Sequence, residues 1–477
     1  MSAKRRAAGG GGGFDGDQCP RVGAPSNEAM TLKACIFAEQ AVPRYTSYPT
    51  APHFGATIGP DAYTRWLAEL PAGATLSLYL HVPFCAELCH YCGCNTKVVR
   101  RDEPVEAYAR LLAREIDLIA ARCCARRVTA IHWGGGTPSM LGARRLAALT
   151  EQLAATFDCA ALAEHAIELD PRAVTRELAR TLAEVGITRA SLGVQEFSAP
   201  VQQAIGRVQP FATVATAVDA LFAAGITDLN FDLMYGLPHQ TEQSLRDAIT
   251  LSVTLGPKRI ALFGYAHVPW FKTHQRLIDE TALPGAADRL VQAETAHAML
   301  TRLGYVAIGL DHFARPDDAL AQAAAAGHLH RNFQGYTTDG ADALIGLGTS
   351  AIGRLPQGFV QNAPDIGTYA RAIEAAEPAI VRGIALSEDD RLRGRIIERL
   401  MCDFAVDLDA VAARNITGDP DFSAALQEVD RLAAEGLVTR VGPRIAMTEA
   451  GQPFVRLVAA AFDTYLKCGA ARHSRAV

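Results

Sequence analysis

Of the 11 cysteines in this 477-residue chain, Cys85, Cys89, Cys92 and Cys94 fall within ten residues, while the others are scattered and only Cys123-Cys124 are neighbours. Three thiolates at spacings of four and three residues wrap one face of a compact metal cluster. The other reading of the same residues is a structural zinc knuckle on Cys89 and Cys92 with two ligands from elsewhere. The sequence offers it no second Cys-x2-Cys pair and no His pair at finger spacing. A secreted disulfide framework spreads its cysteines to close loops, so an odd, clustered set points to a cytosolic metal site. The cluster follows the strand-like run Ser77–Phe84 directly. In parallel α/β architectures ligands bind beyond the carboxyl ends of the strands, which makes this loop the place for chemistry.

A second chemical element is Ile131-His132-Trp133-Gly134-Gly135-Gly136-Thr137-Pro138, where a strand ends in three glycines. Missing side chains leave the backbone N–H and C=O groups open to close approach by a ligand. Glu168 and Asp170 lie two apart, so a strand points both to one face. Asp170-Pro171 also reads as a helix N-cap followed by Pro at N1, which leaves Glu168 as the better ligand candidate. Gln195 and Asp232 sit in or at the ends of expected strands, where a carboxylate binds ribose hydroxyls or caps a loop. Arg207, in Ile205-Gly206-Arg207, taken alone reads as a surface arginine.

The elements that must position these groups alternate. Strands are expected at Thr75–Phe84, Val128–Trp133, Ala166–Leu169, Ala190–Val194, Leu229–Tyr235 and Ile260–Ala266, with helices at Glu106–Cys124, Arg144–Phe157, Arg176–Val185, Phe211–Ala224 and Glu242–Leu255 between them. Gly186-Ile187-Thr188 and Gly225-Ile226-Thr227 each end a helix on glycine and feed a strand. This repeat implies parallel strands covered by helices, as a barrel or an open doubly wound sheet. Ala286–Leu303 and Tyr305–Leu310 extend the alternation. Beyond about residue 370 the pattern becomes mostly helical: Leu392–Met401, Phe422–Ala434 and Pro453–Leu466 surround a short hairpin at 437–447. The expected organisation is a disordered Gly-rich leader over 1–30, an arm on the substrate side over 31–74, a catalytic barrel over 75–368 and a helical domain over 369–477.

A net charge of −5 gives no field that would draw in a nucleic-acid backbone. No run approaches the ~18 apolar residues of a membrane span. Lys4-Arg5-Arg6 is followed by alanines and five glycines, which do not make the apolar segment of a secretory signal.

Cys-x3-Cys-x2-Cys at the end of the first strand of an α/β repeat resembles the radical S-adenosylmethionine enzymes, whose glycine motif holds the methionyl amino group. The likeness sharpens with Arg44-Tyr45-Thr46-Ser47-Tyr48-Pro49-Thr50, Asp232-Leu-Met-Tyr-Gly-Leu-Pro238, Tyr265-Ala266-His267-Val268-Pro269, Asp311-His312-Phe313-Ala314 and His330-Arg331-Asn332-Phe333-Gln334-Gly335-Tyr336. Together these resemble the oxygen-independent coproporphyrinogen III oxidases (dehydrogenases) of haem biosynthesis, from about Pro43 into the tail. The resemblance implies a partial (β/α)6 TIM-like barrel with a mostly helical C-terminal domain. It implies one [4Fe-4S] cluster on Cys85, Cys89 and Cys92, and two molecules of S-adenosylmethionine. The first would contact Tyr79, Gly135, Glu168, Ala266 and Ile352. The second would contact Tyr91, Gly136, Thr137, Gln195, Arg207 and Asp232. Tyr91 replaces the Phe common in the family and keeps the ring. Cys94 matches an extra cysteine of the active-site loop that is not a cluster ligand, and with Tyr79 it is the catalytic candidate.

The implied reaction is oxidative decarboxylation of two propionates of coproporphyrinogen III to protoporphyrinogen IX by a cytoplasmic monomer, with an electron donor and an electron acceptor that the sequence does not identify. Planar guanidinium groups suit a substrate with four carboxylates. Arg44, Arg331 and Lys272 are candidates for that task. Tyr45 and Tyr48 are candidates to pack on the tetrapyrrole or to serve the core, and His267, His312 and His330 to carry protons or to serve the structure. Rival readings are the haem chaperone-like and haem-degrading siblings on the same scaffold, and a non-enzymatic haem- or zinc-binding module. The chaperone-like relatives usually lack the Gly-Cys after the third cysteine, and they lack the Tyr-Thr-Ser-Tyr-Pro and Arg-Asn-Phe-Gln-Gly-Tyr phrases, all present here.

Overall fold

The computed structural model describes residues 27–413 and 421–466, with side chains from residue 33 onward. Most of the expected leader therefore lies outside the described residues. Residues 27–30 open a helix, Asn27–Ala38.

Six parallel strands follow one another: β1 (Thr75–Val82), β2 (Arg127–Gly135), β3 (Glu164–Leu169), β4 (Arg189–Gln195), β5 (Asp228–Tyr235) and β6 (Arg259–Gly264). The helices between them are α1 (Glu103–Ala120), α2 (Ala143–Thr156), α3 (Arg176–Glu184), α4 (Phe211–Ala223) and α5 (Glu242–Thr254). Apolar residues recur on one stripe of each helix, as Leu112, Ile116 and Ile119 do on α1, and pack on strand residues such as Leu78, Ile131, Ile167 and Leu192. Thr175 and Thr241 accept from the backbone N–H of Leu178 and Ser244 and so start α3 and α5. Gly186 and Gly225 sit at φ of 80° and 90° after α3 and α4, the left-handed turn that ends a helix cheaply only at glycine.

The sheet does not stop there. After α6 (Ala286–Arg302), β7 (Val306–Ile308) and β8 (His312–Ala314) run antiparallel beyond β6. On the other side β9 (Ala343–Leu347) pairs parallel with β1, and β10 (Ile352–Leu355), β11 (Gly358–Asn362) and β12 (Ile380–Ala385) follow antiparallel. The result is one twelve-stranded sheet in the order β12-β11-β10-β9-β1-β2-β3-β4-β5-β6-β8-β7. It continues past position 368 to Ala385, so residue 369 falls inside the helix Ile366–Glu374 rather than in a linker.

The tail is α7 (Glu388–Asp403), α8 (Ser423–Ala434) and α9 (Val455–Ala461) with a three-stranded sheet formed by Ala405–Asp407, Val438–Val441 and Arg444–Met447. Its core is separate from the barrel's and takes in Phe37, Val42, Tyr45 and Tyr48 from the arm beside Ile396, Leu400, Val429 and Val458. No helix of the described residues is long and apolar enough to cross a membrane.

Candidate active site

The cysteine loop leaves the end of β1 and is held by donors from several strands. Thr96 Oγ1 donates to Cys85 Sγ at 3.1 Å and Thr137 Oγ1 at 3.5 Å. Arg207 Nη1 lies 3.5 Å from Cys89 Sγ, and the Cys94 backbone N–H points to Cys92 Sγ at 3.4 Å. A further segment clasps the loop's carbonyls: Gln275 Nε2 donates to Tyr91 O at 2.9 Å, His274 Nε2 bonds Cys92 O at 2.7 Å and Lys272 Nζ donates to Cys94 O at 3.0 Å. The hydrogen bond with Cys94, opposed by burial and aided by His274 and Lys272, lowers the Cys92 thiol to about 6. A thiol so tuned is largely thiolate at neutral pH, the form that binds metal. Among the described residues no three His, Cys, Asp or Glu side chains converge on one point as a single-ion site needs. Three thiols on one loop, each with its own donor, form a set that fits a multi-iron cluster.

The glycine turn closes against the same loop. At Gly134 a Cβ would stand 2.9 Å from both Tyr79 Cε2 and Glu168 Oε1, at Gly135 2.7 Å from the His81 ring, and at Gly136 2.6 Å from Phe84 O and Thr96 Oγ1. The space freed by these glycines is thus taken by the protein's own groups, which is a stronger demand than ligand access. Glu168 locks the turn by accepting from Gly135 N at 3.1 Å and bonding His132 Nε2 at 3.1 Å. Burial opposes a charge on His132, yet the Glu168 carboxylate raises its pKa. Tyr79 stacks on His132 at 5.9 Å and bonds His81 Nδ1 at 3.1 Å. On β5, Asp232 accepts from Ser191 Oγ at 3.1 Å and Asn230 Nδ2 at 2.8 Å. Burial and the nearby Glu168 nevertheless push it up to about 7. Tyr79, Tyr91, His132, Asp232 and Cys94 are enclosed by protein yet keep accessible surface, which is the condition of side chains lining an interior chamber.

Arg207 is a buried residue, with Nη2 donating to Gly193 O at 2.8 Å and Nη1 3.3 Å from Asp170 Oδ2. Asp170 is indeed a cap, accepting from Arg172 N at 3.0 Å. Gln195 adopts φ 66°, and its Nε2 would meet a Cβ on Gly193 at 3.0 Å. Ala266 O and Tyr91 O share Gln275 Nε2. Ile352 reaches Tyr79 through Gly346, which is in register with Tyr79 and has Ile352 O 2.8 Å from its virtual Cβ. Apart from Ile352, which opens β10, these residues lie in the carboxyl halves of β1–β6 or on the loops that follow them.

Residues 79–251 match the radical SAM superfamily model and residues 386–454 the HemN C-terminal domain. An oxygen-independent coproporphyrinogen III oxidase of Bradyrhizobium diazoefficiens is 49% identical over 445 residues, covering 93% of this chain and 99% of that protein. The chain belongs to the oxygen-independent coproporphyrinogen III oxidase family. The enzyme of the same name from Escherichia coli is 38% identical over 426 residues, covering 89% of this chain and 93% of its own. A solved structure, described as coproporphyrinogen III oxidase (HemN) from Escherichia coli being a radical SAM enzyme, superposes with a TM-score of 0.84 and 36% identity, covering 89% of this chain and all of that one. Membership makes the chain a radical SAM oxidoreductase of porphyrin biosynthesis and brings with it a [4Fe-4S] cluster and S-adenosylmethionine.

For several residues the structure decides between the two roles the sequence left open. Tyr45 and Tyr48 belong to the tail core, their hydroxyls bonded to Asp463 Oδ2 and Thr464 Oγ1 at 3.0 Å each, so they serve packing. His267 is held between Tyr265 and Glu280, His312 by Asp311 and His330 by Glu398. All three have structural partners. Lys272 is committed to the Cys94 carbonyl. Residues that the sequence left unmarked include His81, Thr96, His274 and Gln275. The histidine two positions after Tyr79 was the readable signal, because strand alternation puts it on the same face.

Proposed function

We propose that this chain catalyses the anaerobic oxidative decarboxylation of coproporphyrinogen III to protoporphyrinogen IX, as a cytoplasmic monomer, using two molecules of S-adenosylmethionine. The observation that carries the reading is the match over 93% of this chain to an oxygen-independent coproporphyrinogen III oxidase, in a chain whose cysteine loop packs against the glycine turn. Cys85, Cys89 and Cys92 would hold the cluster and leave one iron for the cofactor. When bound, the cluster and S-adenosylmethionine supply a 5′-deoxyadenosyl radical, which takes a β-hydrogen atom from a propionate. That propionate then loses CO2 and one electron and becomes a vinyl group. Two propionates require two such events. An external donor would supply one electron to the cluster for each cofactor cleaved, and a separate acceptor would take a different electron, the one that each decarboxylating propionate releases.

The chain's own residues bind, orient and screen. Tyr79, Gly135, Glu168, Ala266 and Ile352 line the first cofactor position in this reading. Tyr91, Gly136, Thr137, Gln195, Arg207 and Asp232 line the second. Glu168 holds the glycine turn with one oxygen and keeps accessible surface for a ligand, its side chain being 37% exposed. Asp232, near half-protonation at neutral pH, both donates to and accepts from a ribose hydroxyl. Arg207 brings a cation against Cys89 and Tyr91, where it attracts a carboxylate. Cys94 is the non-ligand cysteine of the loop in this reading, and its hydrogen bond with Cys92 and its enclosure raise its pKa, which favours the thiol form.

The test is anaerobic protein reconstituted with iron and sulfide and given reductant, S-adenosylmethionine and coproporphyrinogen III. Protoporphyrinogen IX should form with release of CO2. Cofactor cleavage without tetrapyrrole turnover would favour the sibling enzymes instead.

A further inference from the structure

Four guanidinium groups meet at the carboxyl ends of β5 and β6, away from the cysteines. Arg44, from the arm, donates to Gly264 O at 2.9 Å. Arg331, from the hairpin after β8, lies 4.3 Å over the Tyr336 ring and reaches Arg44 O at 3.4 Å. Arg456, on α9, is buried and shares the electrostatic surroundings of Arg44, Arg331, Tyr235 and Asp311. Arg289, on α6, stacks at 5.7 Å on Tyr235 and donates to Tyr265 O at 3.0 Å.

Among the described residues, Asp311 is the carboxylate set against three of these groups, Arg44, Arg331 and Arg456. Its own hydrogen-bonded partner is His312 at 2.7 Å. Neither Arg44 nor Arg331 has a carboxylate within ion-pair distance among the described residues. The buried Nε and Nη1 of Arg331 have no hydrogen-bond partner there. Enclosing several cations around one anion is costly, because each loses its hydration without an equal return. Burial and mutual repulsion accordingly depress Arg456 to about 10. Arg44, meanwhile, is closely surrounded by protein but keeps a large accessible area, so it faces a space rather than the solid core.

We infer that Arg44 and Arg331, backed by Arg456, form an anion subsite that binds a propionate carboxylate of the tetrapyrrole, one that is not reacting. The inference rests on the function proposed above and adds the residues that recognise the substrate. The segment that follows β6 hydrogen-bonds the cysteine loop through Lys272, His274 and Gln275, so the subsite and that loop border the same mouth. A carboxylate held at β6 therefore orients the molecule while another propionate lies at the cysteine end. The free guanidinium edge of Arg331 matches the two oxygens of a carboxylate. Tyr336, under its face, fixes the plane of that edge.

The subsite is tested by equilibrium titration of the reconstituted holoenzyme with coproporphyrin III, the stable tetracarboxylate, and with its tetramethyl ester. Wild-type protein should bind the acid in preference to the ester. Arg331→Gln and Arg44→Gln should each weaken acid binding at least about tenfold, leave ester binding unchanged, and keep iron content and S-adenosylmethionine binding at wild-type levels. Arg331→Lys should recover part of the acid affinity. Variants that bind the acid like wild type, or that lose acid and ester equally, would overturn the subsite while leaving the reaction standing. Wild-type protein that neither binds coproporphyrin III nor turns over coproporphyrinogen III would overturn the underlying reading and the subsite with it.

Discussion

The two ends of the barrel mouth are built by different means. At the β1–β4 end most wall residues come from the ends of consecutive strands and the turns that follow them, and they are locked by neighbours in the repeat, as Glu168 is by Gly135 and Arg207 by Asp170. At the β5–β6 end the polar groups arrive from the arm, the hairpin at 330–337 and α9, elements that have no place in the repeat. The first wall can be specified by short motifs, because its geometry is set by strand pairing. The second depends on where long appendages pack. Chemistry common to a superfamily sits in the former, and discrimination among substrates in the latter.

Variants should separate the two walls, and the largest effect belongs to the thiols. Alanine at Cys85, Cys89 or Cys92 should abolish both the iron–sulfur absorbance and turnover, whereas variants of the β5–β6 wall should keep the absorbance. Gly135→Ala comes next: a Cβ would strike the His81 ring from a backbone at φ 113°, so the turn must shift. We expect folded protein with cluster content and S-adenosylmethionine binding both greatly reduced, measured by iron analysis and equilibrium dialysis. Cys94→Ser should retain iron and lose decarboxylation. Loss of iron in that variant would make Cys94 a ligand and redraw the first wall.

Smaller effects concern what braces each wall. Behind β1, Glu115 is buried and accepts from Gly348 N, Asn362 Nδ2 and Tyr369 Oη at 2.6, 2.7 and 2.7 Å, which ties α1 to β9 and β11. Burial outweighs those donors and raises it to about 7. The native state thus binds this proton more tightly than the unfolded chain, so the contribution to stability is full below the unfolded value of roughly 4.3 and falls as pH rises to about 7. Glu115→Ala should cost on the order of 3 kcal/mol in a urea melt at pH 5 and flatten that slope. Tyr45→Phe, which removes the bond to Asp463 at the arm–tail contact, should cost about 1 kcal/mol and leave iron content untouched.

The contrast also explains what could be read in advance. The six strands and five intervening helices announce themselves through alternating apolar runs and glycine stops, since each element buries a face against its sequence neighbour. β9 was hidden. Ala343–Leu347 is a short apolar run whose partner, β1, lies more than 260 residues earlier, and no local pattern records that pairing. The Cys, Gly, Glu168 and Asp232 positions stand out in the sequence because they fall in the carboxyl halves of strands or just after them. The burial of Arg207 does not, because it depends on Asp170 and Cys89 across the mouth. Arg456 left a faint trace as a lone cation within the apolar run Phe454–Ala461. Tyr45 and Tyr48 stayed ambiguous, since a motif that packs on a substrate and a motif in a domain core use the same aromatic residues, and the structure places them in the core.

The Tyr45–Asp463 contact joins positions 418 residues apart. During synthesis the cysteine loop and the strands that support it leave the ribosome long before α9 does. A nascent chain therefore holds its redox machinery for most of translation without the surface that would seat a tetrapyrrole. The arm can dock onto the tail only once α9 has been made, so in the subsite proposed above substrate capture would wait for a finished protein.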